Sequence, residues 1–419
     1  MARAFKVLSG AQSFGYGPSA KLGVLTNYLH QQGVTVDFWG QEIALRYARL
    51  NSPPDRRIYR GDPLSTLDAK PYGAVMTVMD PRVAAWGYFY DLPVLAIDSL
   101  FWFWDWSAPS EMLMRMRENI RRLKAHASLD DLLAYIGSLP DHLQQYATHF
   151  MASRSFAQHY PGCHRVRAVA DGLHVVEVGP IVDLAYKHQG VRDTVLVSFS
   201  GTLNPLMTHD DAMTYLQLVR VILAPALERL QGVVRTVVTV HPSLVEEARA
   251  LFPGSVGTLA HGEFLETVNR SIAVIAPAGI TTLYECVMYE TPIFVLPEQH
   301  DGHFRNYTRL TDLAEDVGEF RRVFPETLVN YRAPIDAGAA SPDYVAALYA
   351  AYKRFLADPQ DRTVASMRAH MCDRLAQIND QKVYCAYRDA QKMVMRPMLE
   401  QWPNAAAAIE VALSPYFVD

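Results

Sequence analysis

Short apolar runs alternate along the chain with longer stretches in which apolar residues recur at helical spacing. An apolar run of about four to eight residues between turn signals is typical of a buried strand. In the first half, the predicted strands are residues 5–9, 34–39, 73–79, 93–97, 148–153 and 166–170. In the second half, they are residues 194–199, 233–240, 255–259, 272–276 and 293–296. Strands that alternate with helices predict an α/β protein built on parallel sheets.

Residues 272–306 contain a strand, a turn, a helix and a second strand in succession, which predicts a right-handed parallel βαβ unit. The turn Pro277-Ala278-Gly279 leads into a helix that opens with Thr281 and Thr282. Free N–H groups and the positive end of the helix dipole at such a turn suit a phosphate group. Glu285 follows Gly279 by about 1.7 helical turns. Its carboxylate is therefore placed to accept hydrogen bonds from a ribose diol.

Two further loops follow predicted strands and carry small or polar residues. The loop after residues 194–199 supplies N–H groups and hydroxyls for phosphate oxygens. Its candidate ligands are Ser200, Gly201, Thr202 and Asn204. The loop after the first strand contains Gly15-Tyr16-Gly17 before a helix predicted for residues 19–32. It is not the dinucleotide fingerprint, because GxGxxG is absent and no acidic residue closes the second strand.

A carboxylate and an aromatic run come after the strand at residues 93–97. Asp98 ends this strand, and an apolar, aromatic surround would raise its pKa toward that of a general base. Asp98 is the first candidate for the base, Asp105 the second and Tyr16 the third. Phe101, Trp102 and Trp104 form a candidate wall for a planar or apolar acceptor. The alternative is that these aromatic side chains pack the core under a loop.

An ordered string of residues in the second half resembles the nucleotide-sugar signature of GT-B glycosyltransferases, especially the cell-wall N-acetylglucosaminyltransferase and its relatives. The matching residues are Gly279, Thr282, Glu285, Pro292, Pro297, His300, Asp301 and Asn306. The sequence departs from that pattern at Glu290-Thr291, and at Asp301-Gly302-His303, where many relatives have Asp-Gln. Relatives often carry a catalytic His near the end of the first loop, and Gly15-Tyr16-Gly17 has none.

The resemblance implies an α/β fold of the GT-B type, with two doubly wound Rossmann-like domains facing across a cleft. It places an acceptor domain in residues 1–180 and a donor domain in residues 181–395, with a turn at Gly179-Pro180 between them. It also implies that a C-terminal helix in residues 396–419 crosses back to the first domain.

The resemblance also assigns the donor ligands. It implies that Phe264 and Leu265 hold the base and that Glu285 holds the ribose. The loops at Ala278-Gly279 and at residues 200–204 face the diphosphate from two sides, and Gly15 and Gly17 belong to the first loop. In the loop after Pro297, the candidate sugar ligands are Glu298, Gln299, His300 and Asp301. His303 and Arg305 are candidates to neutralise phosphate charge.

Composition narrows the function classes. The chain has 419 residues, a formal net charge of -5 and an isoelectric point near 6.3, which gives no support to nucleic acid as a partner. The cysteines are scattered without metal-ligand spacing, as in reduced thiols of a cytoplasmic protein. No signal-peptide h-region follows the N-terminus and no apolar run approaches about 18 residues, so no transmembrane segment is expected.

No metal and no cofactor are expected. His159, His164 and His174 lie far apart in loop-like sequence, and no DxD-like pair stands where a metal would bind. Helix dipoles and backbone amides are expected to stabilise the departing diphosphate instead.

The predicted function is inverting, metal-independent transfer of a sugar from a nucleotide donor, a UDP-sugar in first place. The acceptor is expected to be a small molecule, planar or aromatic, such as an antibiotic aglycone or a heterocyclic base. One alternative is a nucleotide-sugar hydrolase or 2-epimerase on the same fold. Another is a non-catalytic, nucleotide-binding partner subunit. Whether the chain forms a homodimer is left open.

Overall fold

The computed structural model describes residues 5–52, 56–60, 63–104, 108–159, 173, 175–199, 201–313, 341–358, 360–378, 380–399 and 402–416. Internal contacts divide the chain into two compact units. The first unit comprises residues 1–181 and 397–419, and the second comprises residues 182–396. The strand expected at residues 166–170, the candidate base Asp105 and the candidate ligand Ser200 lie outside the described residues.

The first unit is built on a parallel sheet with the strand order β3-β2-β1-β4-β5-β6-β7. Its strands are β1 (Lys6–Ala11), β2 (Thr35–Gly40), β3 (Ile58–Arg60), β4 (Ala74–Val78), β5 (Val94–Asp98), β6 (Arg154–Gln158) and β7 (Val175–Val178). Its helices up to β6 are α1 (Tyr16–Gln31), α2 (Glu42–Asn51), α3 (Pro81–Phe89), α4 (Ser110–His126), α5 (Leu129–Gly137) and α6 (Asp141–Met151). β4 and β5 are buried along their whole length, as expected for strands covered by helices on both faces.

Residues 148–153 were predicted to form a strand, and this prediction is wrong. Helix α6 continues to Met151, and the strand begins at Arg154. The buried apolar residues Leu143, Ala147 and Met151 recur every four residues, which is the spacing of a helix face. The run resembled a strand because it contains three consecutive apolar residues, Phe150, Met151 and Ala152.

The first helix also begins earlier than predicted. Gly15 is its N-cap residue, so Tyr16 and Gly17 lie in the first turn of α1 rather than in the loop. Gly15 has φ 115°, a conformation that residues with a Cβ rarely adopt. Glycine at this position therefore allows the chain to turn from the loop into α1.

The second unit is built on a smaller parallel sheet with the order β10-β9-β8-β11-β12. Its strands are β8 (Thr194–Phe199), β9 (Arg235–Val240), β10 (Ser255–Gly257), β11 (Ser271–Ala276) and β12 (Ile293–Val295). Its helices are α7 (His209–Leu230), α8 (Val245–Leu251), α9 (His261–Arg270), α10 (Ile280–Met288), α11 (Asp301–Leu313), α12 (Ser341–Ala357), α13 (Arg362–Gln377) and α14 (Gln381–Leu399). The βαβ unit predicted for residues 272–306 is confirmed by β11, α10 and β12.

The C-terminal helix α15 (Ala405–Leu413) clusters with the first unit. Ile409 and Leu413 join the apolar core that contains Leu22 and Leu25 of α1. The hydroxyl of Tyr28 donates a hydrogen bond to Oε2 of Glu410 at 2.7 Å. Among the described residues, no helix has the length and apolar character needed to cross a bilayer.

Each sheet reverses its strand order at one point. The first sheet reverses between β1 and β4, and the second between β8 and β11. In open α/β sheets, ligands bind outside the carboxyl ends of the strands at such a switch point. In the second unit, this rule predicts a ligand site at the loops after β8 and β11.

Candidate functional site

Three loops meet at the carboxyl edge of the second sheet. Nε2 of Gln299, in the loop after β12, donates a hydrogen bond to Oγ1 of Thr202, in the loop after β8, at 2.7 Å. Nδ2 of Asn306 donates to the carbonyl oxygen of Ala278, in the turn after β11, at 2.8 Å. All four of these residues are buried. The loops predicted to contact the donor therefore lie together at the switch point of this unit.

The turn after β11 exposes the start of a helix. Gly279 is the N-cap of α10, and a glycine has no side chain to bond the first-turn N–H groups. Thr281 and Thr282 are partly exposed in that turn. Among the described residues, the one atom within 4 Å of a Cβ built on Gly279 is Nε2 of His303, at 3.8 Å. The space over this turn suits an anion that binds helix N–H groups.

Glu285 is held by a histidine that sequence reasoning did not single out. Nε2 of His261 lies 2.9 Å from Oε1 of Glu285, and their side chains are 14% and 5% exposed. Because an ionised carboxylate accepts and does not donate, the imidazole N–H is the donor. His261 opens α9 just beyond β10, so its place at a strand's carboxyl end was the signal available in the sequence.

The two residues assigned to the base lie on the inner face of α9. Phe264 is 8% exposed and Leu265 is fully buried. Phe264 keeps a small exposed edge, whereas Leu265 contributes to the core of the unit. Their role in base binding stays a prediction.

The four candidate sugar ligands after Pro297 differ in burial. Glu298 is fully buried, and the hydroxyl of Tyr344 donates to its Oε1 at 3.3 Å. Burial, with the Glu298 carboxylate nearby, raises the pKa of Tyr344. Gln299 is buried against Thr202, as described above. His300 and Asp301 are partly exposed, so they are the better placed of the four to meet a ligand.

The rings of His300 and His303 pack against each other at the start of α11, with centroids 4.0 Å apart and planes tilted by 33°. Burial lowers the pKa of His300 to about 4. Burial, and then the neighbouring His300, hold the pKa of His303 well below its usual range. Both rings are therefore neutral near pH 7, so the expected neutralisation of phosphate by a charged His303 is not supported. Arg305 is exposed and pairs with Asp301 at 3.2 Å.

In the first unit, Asp98 sits in a buried hydrogen-bond cluster. Its Oδ1 accepts from the amide of Leu100 at 2.7 Å, and its Oδ2 accepts from Nε1 of Trp104 at 2.9 Å. Nε2 of His149 lies 3.0 Å from the same Oδ2. His149 was missed because its segment was predicted to be a strand; in α6 it faces β5. The structure thus joins the first candidate base to a buried imidazole.

The aromatic run after β5 faces partly inward. Phe101 and Trp102 are 1% and 2% exposed, and Nε1 of Trp102 donates to the carbonyl oxygen of Gln158 at 2.9 Å. The rings of Phe101 and His149 pack nearly perpendicular to each other, with centroids 5.1 Å apart. Trp104 is partly exposed. Of the three proposed acceptor contacts, Trp104 is therefore the one whose exposed surface can contact an acceptor.

Tyr16, the third candidate base, lies at the start of α1 with its ring 6.1 Å from that of Tyr47. Burial raises its pKa, and the nearby Arg46 opposes that shift in part. A raised pKa disfavours the phenolate that would accept a proton. Within the described residues, no group of three or more His, Cys, Asp or Glu side chains is placed to hold a metal ion.

Comparison with known proteins gives the fold. No protein-family model and no curated protein matches the chain. The spinosyn rhamnosyltransferase SpnG complexed with thymidine diphosphate superimposes with a TM-score of 0.51 at 12% identity, covering 97% of this chain and 100% of its own. Arabidopsis thaliana UGT89C1 complexed with quercetin gives 0.52 at 12% identity, covering 98% and 99%.

A protein from Listeria monocytogenes assigned as a UDP-N-acetylglucosamine 2-epimerase gives a TM-score of 0.53 at 13% identity, covering 100% of this chain and 97% of its own. At such identities, the likeness establishes the fold. The chain has the two-domain α/β fold of the GT-B type, as the sequence predicted.

Proposed function

We propose that the protein is a glycosyltransferase that takes a sugar from a nucleoside diphosphate donor bound at the carboxyl edge of the second sheet. The observation that carries the proposal is the convergence of the loops after β8, β11 and β12 on the glycine-capped start of α10. Glu285 lies further along the same helix. Fold neighbours complexed with thymidine diphosphate and with quercetin support this reading.

On the donor side, the first-turn N–H groups of α10 and the hydroxyls of Thr281 and Thr282 bind the diphosphate. Thr202 and Asn204 approach it from the loop after β8. The positive end of the helix dipole stabilises the charge that develops on the leaving diphosphate. Glu285 accepts a hydrogen bond from the ribose, with His261 fixing its orientation.

On the acceptor side, the reaction is a direct displacement with inversion. The acceptor oxygen attacks the anomeric carbon, the bond from that carbon to the diphosphate breaks, and the acceptor's proton passes to a general base, for which Asp98 is the first candidate. Trp104 donates to Asp98 and keeps part of its indole exposed, which suits a planar or aromatic acceptor.

Thermal unfolding with UDP, TDP, GDP and ADP tests the donor site. A ligand that binds the folded state stabilises it by about 2.7 kcal/mol at a hundredfold excess over its dissociation constant. We expect a shift with one diphosphate in the wild type and its loss in Glu285→Ala. Glu266→Ala removes an exposed glutamate of the same unit and should keep the shift. If none of the four shifts the wild type, the protein does not bind a nucleoside diphosphate and the proposal fails.

A hydrolase or 2-epimerase is the second candidate. It is favoured by the segment Gly15-Tyr16-Gly17, where the first loop meets α1, because this segment provides no histidine to activate an acceptor. Incubation of the matching nucleotide sugar without acceptor separates the two functions. Release of free sugar or of the epimer identifies the second candidate, whereas turnover that requires an acceptor identifies the transferase. Binding without turnover in either assay identifies a non-catalytic partner subunit.

A further inference from the structure

The backbone fixes which nitrogen carries the proton in both histidines at the start of α11. The amide of Gln299 donates to Nδ1 of His303 at 3.3 Å, and the amide of Gly302 donates to Nδ1 of His300 at 3.1 Å. A ring nitrogen that accepts a hydrogen bond has no proton. Each neutral imidazole therefore carries its proton on Nε2 and acts there as a donor.

Nε2 of His303 lies over the turn that caps α10. It is 3.8 Å from the position of a Cβ built on Gly279. Asn306, one turn further along α11, bonds to Ala278 and so holds α11 against this turn. Within the described part of the chain, Nε2 of His303 makes no hydrogen bond, and the residue as a whole is of intermediate exposure. An N–H donor thus borders the space over the glycine.

The charge state of His303 follows from its surroundings. Its ring packs at a tilt against that of His300, and the residue lies in the first turn of a 13-residue helix, whose N–H groups repel a positive charge. Burial acts in the same direction and lowers the pKa. A neutral imidazole beside a helix N-terminus still donates a strong hydrogen bond to an oxygen that carries negative charge.

We propose that His303 donates a hydrogen bond from Nε2, as an uncharged group, to the terminal phosphate of the bound nucleoside diphosphate. This inference rests on the proposed function and names a contact within its donor site. The terminal phosphate carries the sugar and receives the charge when the bond to the sugar breaks. A neutral donor binds this phosphate without gaining or losing a proton, so its contribution is independent of pH near neutrality.

Calorimetric titration of the wild type, His303→Asn and His303→Gln tests the contact. The ligands are the nucleoside diphosphate that stabilises the wild type, out of UDP, TDP, GDP and ADP, and the matching monophosphate. The amide nitrogen of Gln reaches the place of Nε2, whereas that of Asn reaches the place of Nδ1. We expect His303→Asn to weaken diphosphate binding by about tenfold or more, because the lost bond is to a charged group. Monophosphate binding should stay within about twofold, and His303→Gln should restore most of the diphosphate affinity.

A second experiment uses the wild type alone. Between about pH 7 and 8.5, where the terminal phosphate is already ionised, the diphosphate dissociation constant of the wild type should stay constant. A charged imidazole would instead lose about tenfold in affinity per pH unit above its pKa. This pH experiment tests the proposed contact even if His303→Asn fails to fold.

Equal losses for diphosphate and monophosphate, no loss in His303→Asn, or a tenfold pH slope would each overturn the inference while the proposed function stands. A wild type that binds none of the four diphosphates would instead remove the proposed function. The two failures are therefore distinguishable from the first titration.

Discussion

Nε2 of His261 donates to Oε1 of Glu285 across 2.9 Å, which joins the first turn of α9 to the middle of α10. The two residues are 24 positions apart and both are largely buried. A carboxylate held in this way loses little conformational freedom when it meets a ligand. The pair therefore orients the group that we assign to the ribose.

Substitution of His261 is expected to affect both stability and nucleotide affinity. His261→Ala leaves a buried carboxylate without this donor and should lower the free energy of unfolding by about 1.5 to 3 kcal/mol. His261→Gln keeps a donor of similar reach and should recover part of the lost free energy of unfolding. Urea unfolding and nucleotide titration measure both effects. Unchanged stability and affinity in His261→Ala would show that the pair does not support the site.

Gly279→Ala is expected to weaken ligand binding without changing the stability of the fold. Gly279 has φ -76°, which alanine adopts freely, and the new methyl group would meet Nε2 of His303 at an ordinary van der Waals distance of 3.8 Å. We expect thermal unfolding without ligand to stay within about 1 °C of the wild type. Diphosphate affinity should fall at least about tenfold, because the methyl occupies space where the phosphate meets the helix.

Gly201→Ala is the matched control, because a Cβ built there has no described atom within 4 Å. It adds a methyl in the neighbouring loop and should fold normally with a smaller loss of affinity. Full affinity in Gly279→Ala would place the phosphate elsewhere.

Asp98→Asn is expected to be costly because Asp98 accepts from Leu100, Trp104 and His149. An amide cannot accept all three bonds, and its NH₂ group would face a donor. The free energy of unfolding should fall by about 2 to 3 kcal/mol. Transfer should fall further than this loss explains, while nucleotide affinity stays unchanged, since none of the donor-site contacts described above involves Asp98.

Asp91→Asn is the control for that substitution, because its carboxylate is 82% exposed and pairs with Lys124. It should change neither unfolding nor transfer measurably. Normal transfer in a folded Asp98→Asn protein would exclude Asp98 as part of the base.

The sequence predicted those features that depend on neighbouring residues. β8 and β11 were recognisable because each is a short run of mainly apolar residues, and α10 because Gly279 precedes it and Pro292 follows it. Pairings between distant elements were not recognisable. His149 meets Asp98 across 51 positions, and nothing local to either residue indicates the other.

Neighbouring candidate ligands also differ in side-chain direction because of tertiary contacts. Glu298 and His300 looked equivalent in the sequence, yet Glu298 turns inward. Tyr344, 46 positions away, supplies its hydrogen bond, so a helix later in the chain decides the direction of this side chain. Side-chain direction in a loop depends on such partners, which periodicity does not reveal.

The lowered pKa values of His300 and His303 predict how stability changes with pH. The pKa of His300 is about 4 in the folded protein against 6.5 when unperturbed. Between these values the unfolded chain binds more protons, so the stabilisation is complete above pH 6.5 and is lost as the pH falls toward 4. The difference corresponds to at most about 3 kcal/mol, less any screening at the partly exposed ring. The lowered pKa of His303 acts in the same direction.

Urea unfolding of the wild type and His300→Asn across pH 4.5 to 7.5, roughly the span between the two pKa values, measures this dependence. Asn keeps an acceptor near the place of Nδ1 for the amide of Gly302, but it does not titrate. The variant should therefore lose less stability than the wild type on acidification. His126→Asn removes an exposed histidine at the end of α4 and should leave the wild-type slope unchanged. Parallel curves for the wild type and His300→Asn would show that the pKa of His300 is not lowered in the folded protein.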